Sequence, residues 1–208
     1  MRSGDETGIV LVGCGTVGGA TAQVLTQQRQ HLSERVGAEL ALRAIVDVDF
    51  GNARRLGLDE RLFCPDLEST LARKDVQVVV ELVGGTTAAR DIVARALRAG
   101  KSVVTANKAL LAEHGTELWA LARRQGVCIA CEASCAGAIP IIAALTGELA
   151  CDRVQAMYGI VNGTCNHILT AMSEQNQTYA EALAVAQRGG LAEADPALDV
   201  SGLDSAHK

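Results

Sequence analysis

The chain has 208 residues, is 49% hydrophobic but only 2% aromatic, and carries a formal charge of −5. That length allows one large domain or one domain plus part of a second, and the acidic balance argues against a nucleic-acid partner, which needs a basic face to displace counterions. No apolar run approaches the ~18 residues of a membrane span, Met1–Thr7 is too polar for a signal peptide, and seven cysteines is an odd count for a disulfide framework, so the chain reads as soluble and cytoplasmic, with no membrane partner.

Apolar runs at Ile9–Val12, Leu42–Val46, Val76–Leu82, Val103–Thr105 and Val127–Ala130 are short, rich in Val and Ile, and bounded by Gly or charged residues. Such runs predict strands buried on both faces. Between them, Val17, Ala20, Thr21, Val24 and Leu25 repeat at helical spacing, as do Ala89, Ile92, Val93, Ala96 and Leu97 before a stop at Gly100. Leu110, Leu111, Leu118 and Leu121 belong to a further helix that ends near Gly126. Strands alternating with helices imply right-handed βαβ units, an α/β fold of Rossmann-like, doubly wound parallel type. The rhythm changes after Gly137. There AIPIIAALTGEL reads as helix, Val154–Val161 as strand, and two helical segments flank Asn176–Thr178. The predicted domains are therefore 1–136 and 137–208. Cys128 and Cys131 have the spacing of a metal or redox pair, but residues three apart on a strand face opposite ways, so both read as packing cysteines.

Gly13, Gly15 and Gly18 form G-x-G-x-x-G between a predicted strand and an amphipathic helix. In that context Gly13 permits the tight turn, Gly15 lets backbone approach a pyrophosphate, and Gly18 lets the helix pack close to the sheet. The free N–H groups at the helix start then face the phosphates. Asp47 and Asp49 end the second strand, where a carboxylate accepts the ribose hydroxyls of NAD and repels the extra phosphate of NADP. Arg54 and Arg55 follow and could instead hold that phosphate. NAD is favoured, with NADP as the alternative.

Beyond the glycine loop, ELVGGT (Glu81–Thr86), TANKALLAEHG (Thr105–Gly115), EASCAGAIPII (Glu132–Ile142), GIVNGTCNHIL (Gly159–Leu169) and EADPALDVSGLDSAHK (Glu193–Lys208) occur in that order. Together these segments resemble the homoserine dehydrogenase family, from the first strand to the last residue. The resemblance implies NAD(P)-dependent interconversion of L-homoserine and L-aspartate 4-semialdehyde, on the route to threonine, methionine and isoleucine. It further implies that residues 137–208 are the first part of an α+β substrate and dimerisation domain, with a homodimer formed through it. Lys208 and Lys108 match the family's catalytic lysines, and Glu193, Asp199 and Asp204 match positions around an amino-acid substrate. Thr16, Val17, Gly84, Thr86 and Lys108 join Gly13, Gly15, Gly18 and Asp47 at the cofactor. Glu132, with the backbone carbonyls of Cys135, Gly137 and Ile139, matches a monovalent-cation site, usually sodium.

The chemistry accounts for these residue types. Oxidising an alcohol removes a hydride and a proton, so a proton acceptor must face the carbinol oxygen, and a nearby ammonium stabilises the developing alkoxide. Acids beside a lysine suit a substrate that carries its own ammonium and carboxylate. The chain departs from the family at Ala136 and Ala138, which stand in a turn that is usually glycine-rich, and at Cys165 and His167 in the NGT loop. The family's chain also continues past the catalytic lysine, so a sequence stopping at Lys208 reads as C-terminally truncated. Two other readings remain: a nucleotide-binding module without catalysis, and a dehydrogenase for another small amino or hydroxy acid.

Overall fold

The computed structural model describes residues 6–192 and 195–208. The chain divides into two compact units, Met1–Cys135 and Ala136–Lys208. The first is built on a six-stranded sheet. Its strands are β1 (Glu6–Val12), β2 (Glu39–Val46), β3 (Phe63–Cys64), β4 (Val78–Glu81), β5 (Ser102–Thr105) and β6 (Ile129–Ala130). Every pairing is parallel and the order is β3-β2-β1-β4-β5-β6. The sheet turns back on itself between β1 and β4, and at such a switch point the loops leaving the carboxyl ends of two strands diverge and open a crevice.

Alternation along the strands explains why the apolar runs are unbroken. Val10 and Val12 enter one core with Ala44, Val46, Val79 and Val103, while Ile9 and Leu11 enter the other with Ile45 and Val80. Where both faces of the sheet are buried, as at Ile9–Val12 and Ala44–Val46, successive positions are all apolar. Helices α1 (Thr16–Gln27), α2 (Arg29–Val36), α3 (Gly51–Arg55), α4 (Leu67–Leu71), α5 (Thr87–Arg98) and α6 (Lys108–Gln125) supply the covering layers. Helix α5 lays Ala89, Val93, Ala96 and Leu97 on the first core together with Leu110, Leu118 and Ala122 of α6. Helix α1 closes the second core through Ala22, and α3 does so through Ala53. Helices α2 and α6 end on Gly37 and Gly126 in the left-handed region, where the absent Cβ removes the steric cost.

The second unit is mainly helical among its described residues: α7 (Ile141–Ala143) continuing into a π-turn over Ala144–Glu148, then α8 (Gly163–Glu174), α9 (Tyr179–Arg188), α10 (Ala197–Val200) and α11 (Leu203–His207). Asn162 caps α8 by accepting the Cys165 N–H, and Thr178 and Glu181 form a reciprocal capping box on α9. The two long helices meet through a thin core of Ile168, Ala171, Ala182, Ala186 and Ala192.

The strand expected at Val154–Val161 does not form; residues 153–162 have no regular secondary structure. Val154, Met157, Tyr158, Ile160 and Val161 are exposed. Their β-branched and aromatic composition favours extended backbone, but a strand holds only when a neighbouring edge accepts its hydrogen bonds, and no described segment is paired with this one. At β6 the observed strand starts two residues later than the predicted one, and β3 was not predicted at all.

Candidate functional site

The glycine loop leaves β1 at the switch point. Gly13 has φ +93, and a β-carbon there would lie 2.7 Å from the Leu82 carbonyl oxygen, so the turn requires glycine twice over. A β-carbon on Gly18 would lie 1.9 Å from the Gly13 oxygen, which shows how closely α1 packs against the loop. Gly15 is different. It has φ −69, within reach of any residue, and nothing stands within 4 Å of its missing side chain. Neither packing nor backbone conformation therefore requires a glycine at this position. No side chain caps the amino end of α1, so the N–H groups of its first turn remain for an anion. Thr16 and Val17, both exposed, form that turn.

Two clefts of the first unit border the loop. One, of about 570 Å³, is lined by Gly13, Gly15, Asp47, Val48, Pro65 and Ile92 among others. The other, of about 400 Å³, is lined by Val17, Glu81, Gly84, Asn107, Lys108 and Ser134 among others. At the first cleft, Asp47 turns part of its carboxylate inward. Its Oδ2 accepts the Cys14 N–H at 2.5 Å and its Oδ1 accepts those of Val48 and Asp49. Burial, and secondarily the Asp47 charge, push the Cys14 thiol up, and its side chain lies in the core behind the loop. Asp49 accepts the Gly51 N–H. Arg54 reaches Glu60 at 3.4 Å and stands over the Phe63 ring, and Arg55 donates to Asn52.

At the second cleft the carboxylate of Glu81 is wholly buried at the end of β4. It accepts the Val83 N–H at 2.9 Å and the Thr105 hydroxyl at 2.6 Å. Thr105 accepts the Asn107 N–H, and Asn107 caps α6 while its side-chain amide donates to the Gly85 carbonyl at 2.6 Å. One polar chain therefore joins the turns after β4 and β5 and sets Lys108 at the first position of α6. Thr86 is the N-cap residue of α5 and does not line this cleft. Sequence reasoning assigned no role to Glu81 or Asn107, although both lie in motifs it quoted.

In the second unit, Lys208 donates to the Val161 carbonyl and, at 2.7 Å, to Asp204. The side-chain amide of Asn162, a buried residue, donates to Asp199 and Asp204, each at 2.8 Å, while its oxygen caps α8. Asp204 and Lys208 thus share more than one turn of helix: both join a network that reaches back to the NGT loop. Asn162 lies in the GIVNGTCNHIL segment, where sequence reasoning gave it no role. Glu193 lies outside the described residues. Of the expected cation ligands, Glu132 and Cys135 belong to the first unit and Gly137 and Ile139 to the second. Ala136 and Ala138 both adopt positive φ, at 46° and 66°. Among the described residues no three His, Cys, Asp or Glu side chains gather as metal ligands, and no helix is long and apolar enough to cross a membrane.

Residues 13–132 match the family model described as homoserine dehydrogenase, NAD binding domain, and residues 140–208 match that described as homoserine dehydrogenase. The homoserine dehydrogenase of Neisseria gonorrhoeae is 46% identical over 96% of this chain, and the match covers 46% of that protein. The crystal structure of a homoserine dehydrogenase from Thiobacillus denitrificans superposes with a TM-score of 0.87 at 38% identity, covering 100% of this chain and 48% of that one. A hyperthermophilic archaeal homoserine dehydrogenase in complex with NADPH gives a TM-score of 0.71 at 26% identity, covering 98% of this chain and 67% of that one. The chain spans about half the length of the curated relatives it matches.

Proposed function

Because the chain belongs to the homoserine dehydrogenase family, we propose that it carries the cofactor site and a substrate-binding part of an enzyme interconverting L-homoserine and L-aspartate 4-semialdehyde in amino-acid biosynthesis. The observation that carries the substrate reading is the convergence of Asp199, Asp204 and Lys208 on Asn162 and the NGT loop. Two carboxylates and one ammonium leave a single negative charge, which the ammonium of an amino-acid substrate neutralises. An ammonium has three donors, and two of those on Lys208 are given to Val161 and Asp204. The third donates to the substrate's carbonyl oxygen and gives up its proton on reduction, leaving a neutral amine; in the oxidation direction it is that neutral amine whose lone pair takes the hydroxyl proton.

The dinucleotide fits the first unit, since the open face of Gly15 and the uncapped start of α1 are what a pyrophosphate requires. When bound, the nicotinamide accepts or supplies hydride. Gly15, Thr16 and Val17 face the phosphates on a turn that Gly13 and Gly18 shape, and Asp47 takes the adenosine ribose, while Gly84 and Lys108, which line the second cleft, serve the nicotinamide end. NAD is the preferred form. Asp47 directly follows β2, where a carboxylate would repel a 2′-phosphate, and Arg54 and Arg55 are both engaged elsewhere. The family resemblance of Glu132, Cys135, Gly137 and Ile139 is what supports a monovalent cation, since carboxylate and carbonyl oxygens are the donors a hard cation such as sodium takes. The boundary near Ala136 separates nucleotide and substrate domains. The exposed apolar residues of Val154–Val161 support a homodimer through the second.

The test is titration of the full chain with NADH and NADPH, followed by homoserine oxidation with Lys208→Ala as the control. Binding plus turnover that the variant loses supports the whole reading. Binding without turnover leaves a nucleotide-binding module, and absence of binding refutes the cofactor assignment.

A further inference from the structure

We propose that Asn52, outside the glycine fingerprint, is a positioning residue for the cofactor pyrophosphate, and this rests on the cofactor reading above. From α3 its side-chain Nδ2 donates to two successive carbonyl oxygens of the glycine loop, Cys14 and Gly15, each at 2.9 Å. Its Oδ1 accepts from Arg55 at 2.6 Å, which holds the amide in the orientation that aims both donors at the loop.

In a trans peptide the C=O and N–H point in opposite directions. Drawing the Cys14 and Gly15 oxygens toward Asn52 therefore turns the N–H groups of Gly15 and Thr16 the other way. The Gly15 oxygen also accepts the Gly19 N–H at 2.8 Å, the first bond of α1, so it is the Cys14–Gly15 plane that would rotate without the Asn52 anchor and present an oxygen to the phosphates. An oxygen there repels an anion that an N–H would bind. On the other side of the same residue, Asp47 takes the Cys14 N–H, so the Cys14 peptide groups are gripped at both ends.

Gly19 supplies an independent sign that this contact is built in. A β-carbon there would stand 2.8 Å from Asn52 Nδ2 and 2.4 Å from Leu56 Cδ1. The second glycine of the Gly18–Gly19 pair thus opens the path by which the amide crosses the first turn of α1 to reach the loop. Both NADH and NADPH contain the pyrophosphate, so Asn52 acts on the two alike, whereas Asp47 acts on the ribose and separates them.

Calorimetric titration of the full chain with NADH, NADPH, ADP-ribose and adenosine tests this. Asn52→Ala is expected to weaken the three pyrophosphate ligands by about tenfold each and to leave adenosine within about twofold, as for loss of two neutral hydrogen bonds. Asn52→Asp keeps the size of the side chain and its acceptor for Arg55 but turns an oxygen on the loop carbonyls, and the loss rises to about a hundredfold. It guards against an alanine variant that fails to pack. Unchanged ADP-ribose affinity in either folded variant overturns the proposal, as does an equal loss for adenosine, which marks a general packing role. A wild-type chain that binds neither NADH nor NADPH overturns the cofactor reading itself, a result separable from the other two.

Discussion

Three glycines of one motif respond differently to the same added methyl group. In Gly18→Ala the new carbon would stand 1.9 Å from the Gly13 oxygen, and real side chains essentially never come closer than 3.0 Å. Helix α1 must then move by about an ångström against a sheet already close-packed on that side, and overpacking of this kind costs about 1–3 kcal/mol. A unit of this size loses roughly 3–4 °C of melting temperature per kcal/mol, so the variant should melt roughly 3–12 °C lower. Gly13→Ala adds the cost of φ +93 to a contact of 2.7 Å and should lose at least as much. Gly15→Ala meets nothing within 4 Å and sits at an ordinary φ, so its melting temperature should stay within about 2 °C of wild type. Its methyl group nevertheless occupies the space kept for the pyrophosphate, and NADH affinity should fall by at least tenfold. Scanning fluorimetry and NADH titration on the three variants decide the matter. Equal melting losses for Gly15 and Gly18, or normal NADH binding by Gly15→Ala, would refute the division of labour.

Other expectations follow from the same geometry. Asp204→Asn removes the partner of Lys208 and should weaken homoserine binding more than tenfold while leaving NADH binding unchanged, which titration with each ligand tests. Replacing Ala136 and Ala138 together by glycine relieves two left-handed alanines, and the urea midpoint of the transition that reports the second unit should rise by the equivalent of about 1 kcal/mol net. The Arg73 guanidinium beside Asp75 holds that carboxyl at about 2, below the ordinary 3.8. With a folded value below the unfolded one, the contribution is full above about pH 4 and is lost as pH falls toward 2. Wild type should therefore lose more melting temperature than Asp75→Asn across that window. Cys128 and Cys151 are exposed whereas Cys14 and Cys131 are buried with raised thiol pKa values, so iodoacetamide should label the first pair well before the second, read by peptide mass.

The strands that carry the cofactor loop were legible because burial on both faces leaves no room for a polar alternation, and Ile9–Val12 and Val103–Thr105 announce this in three or four residues. Phe63–Cys64 could not be read: an edge strand held by two register pairs leaves no pattern. Val154–Val161 misleads for the opposite reason, since its composition records a readiness to pair while the partner is a matter of tertiary structure. The glycine fingerprint, Asp47, Lys108 and Lys208 stood in motifs whose spacing is local. Asn52 stood in none, and Asn162 stood in one without a visible role, because each acts on groups some forty residues away and an asparagine in a helical or loop segment looks like any other cap. Glu81 reads as the polar end of a strand, and only its burial shows that the carboxylate joins two turns.

The strand order also governs how the sheet can be assembled. Central β1 precedes all of its neighbours in the chain: Ile9 meets Leu42 on one side and, roughly twice as far along, Val78 on the other. Doubling a closing loop adds only about 0.6 kcal/mol of entropy, so the delay matters through time more than through equilibrium. On a ribosome, β1 and β2 emerge with one flank of β1 bare and apolar until β4 has been made, and a nascent chain in that interval presents a template to any other extended peptide. The glycine loop cannot settle earlier than this either, because Gly13 is wedged against the Leu82 carbonyl just beyond β4. The loop proposed to grip a nucleotide therefore takes its final shape only with the strand that closes the centre of the sheet.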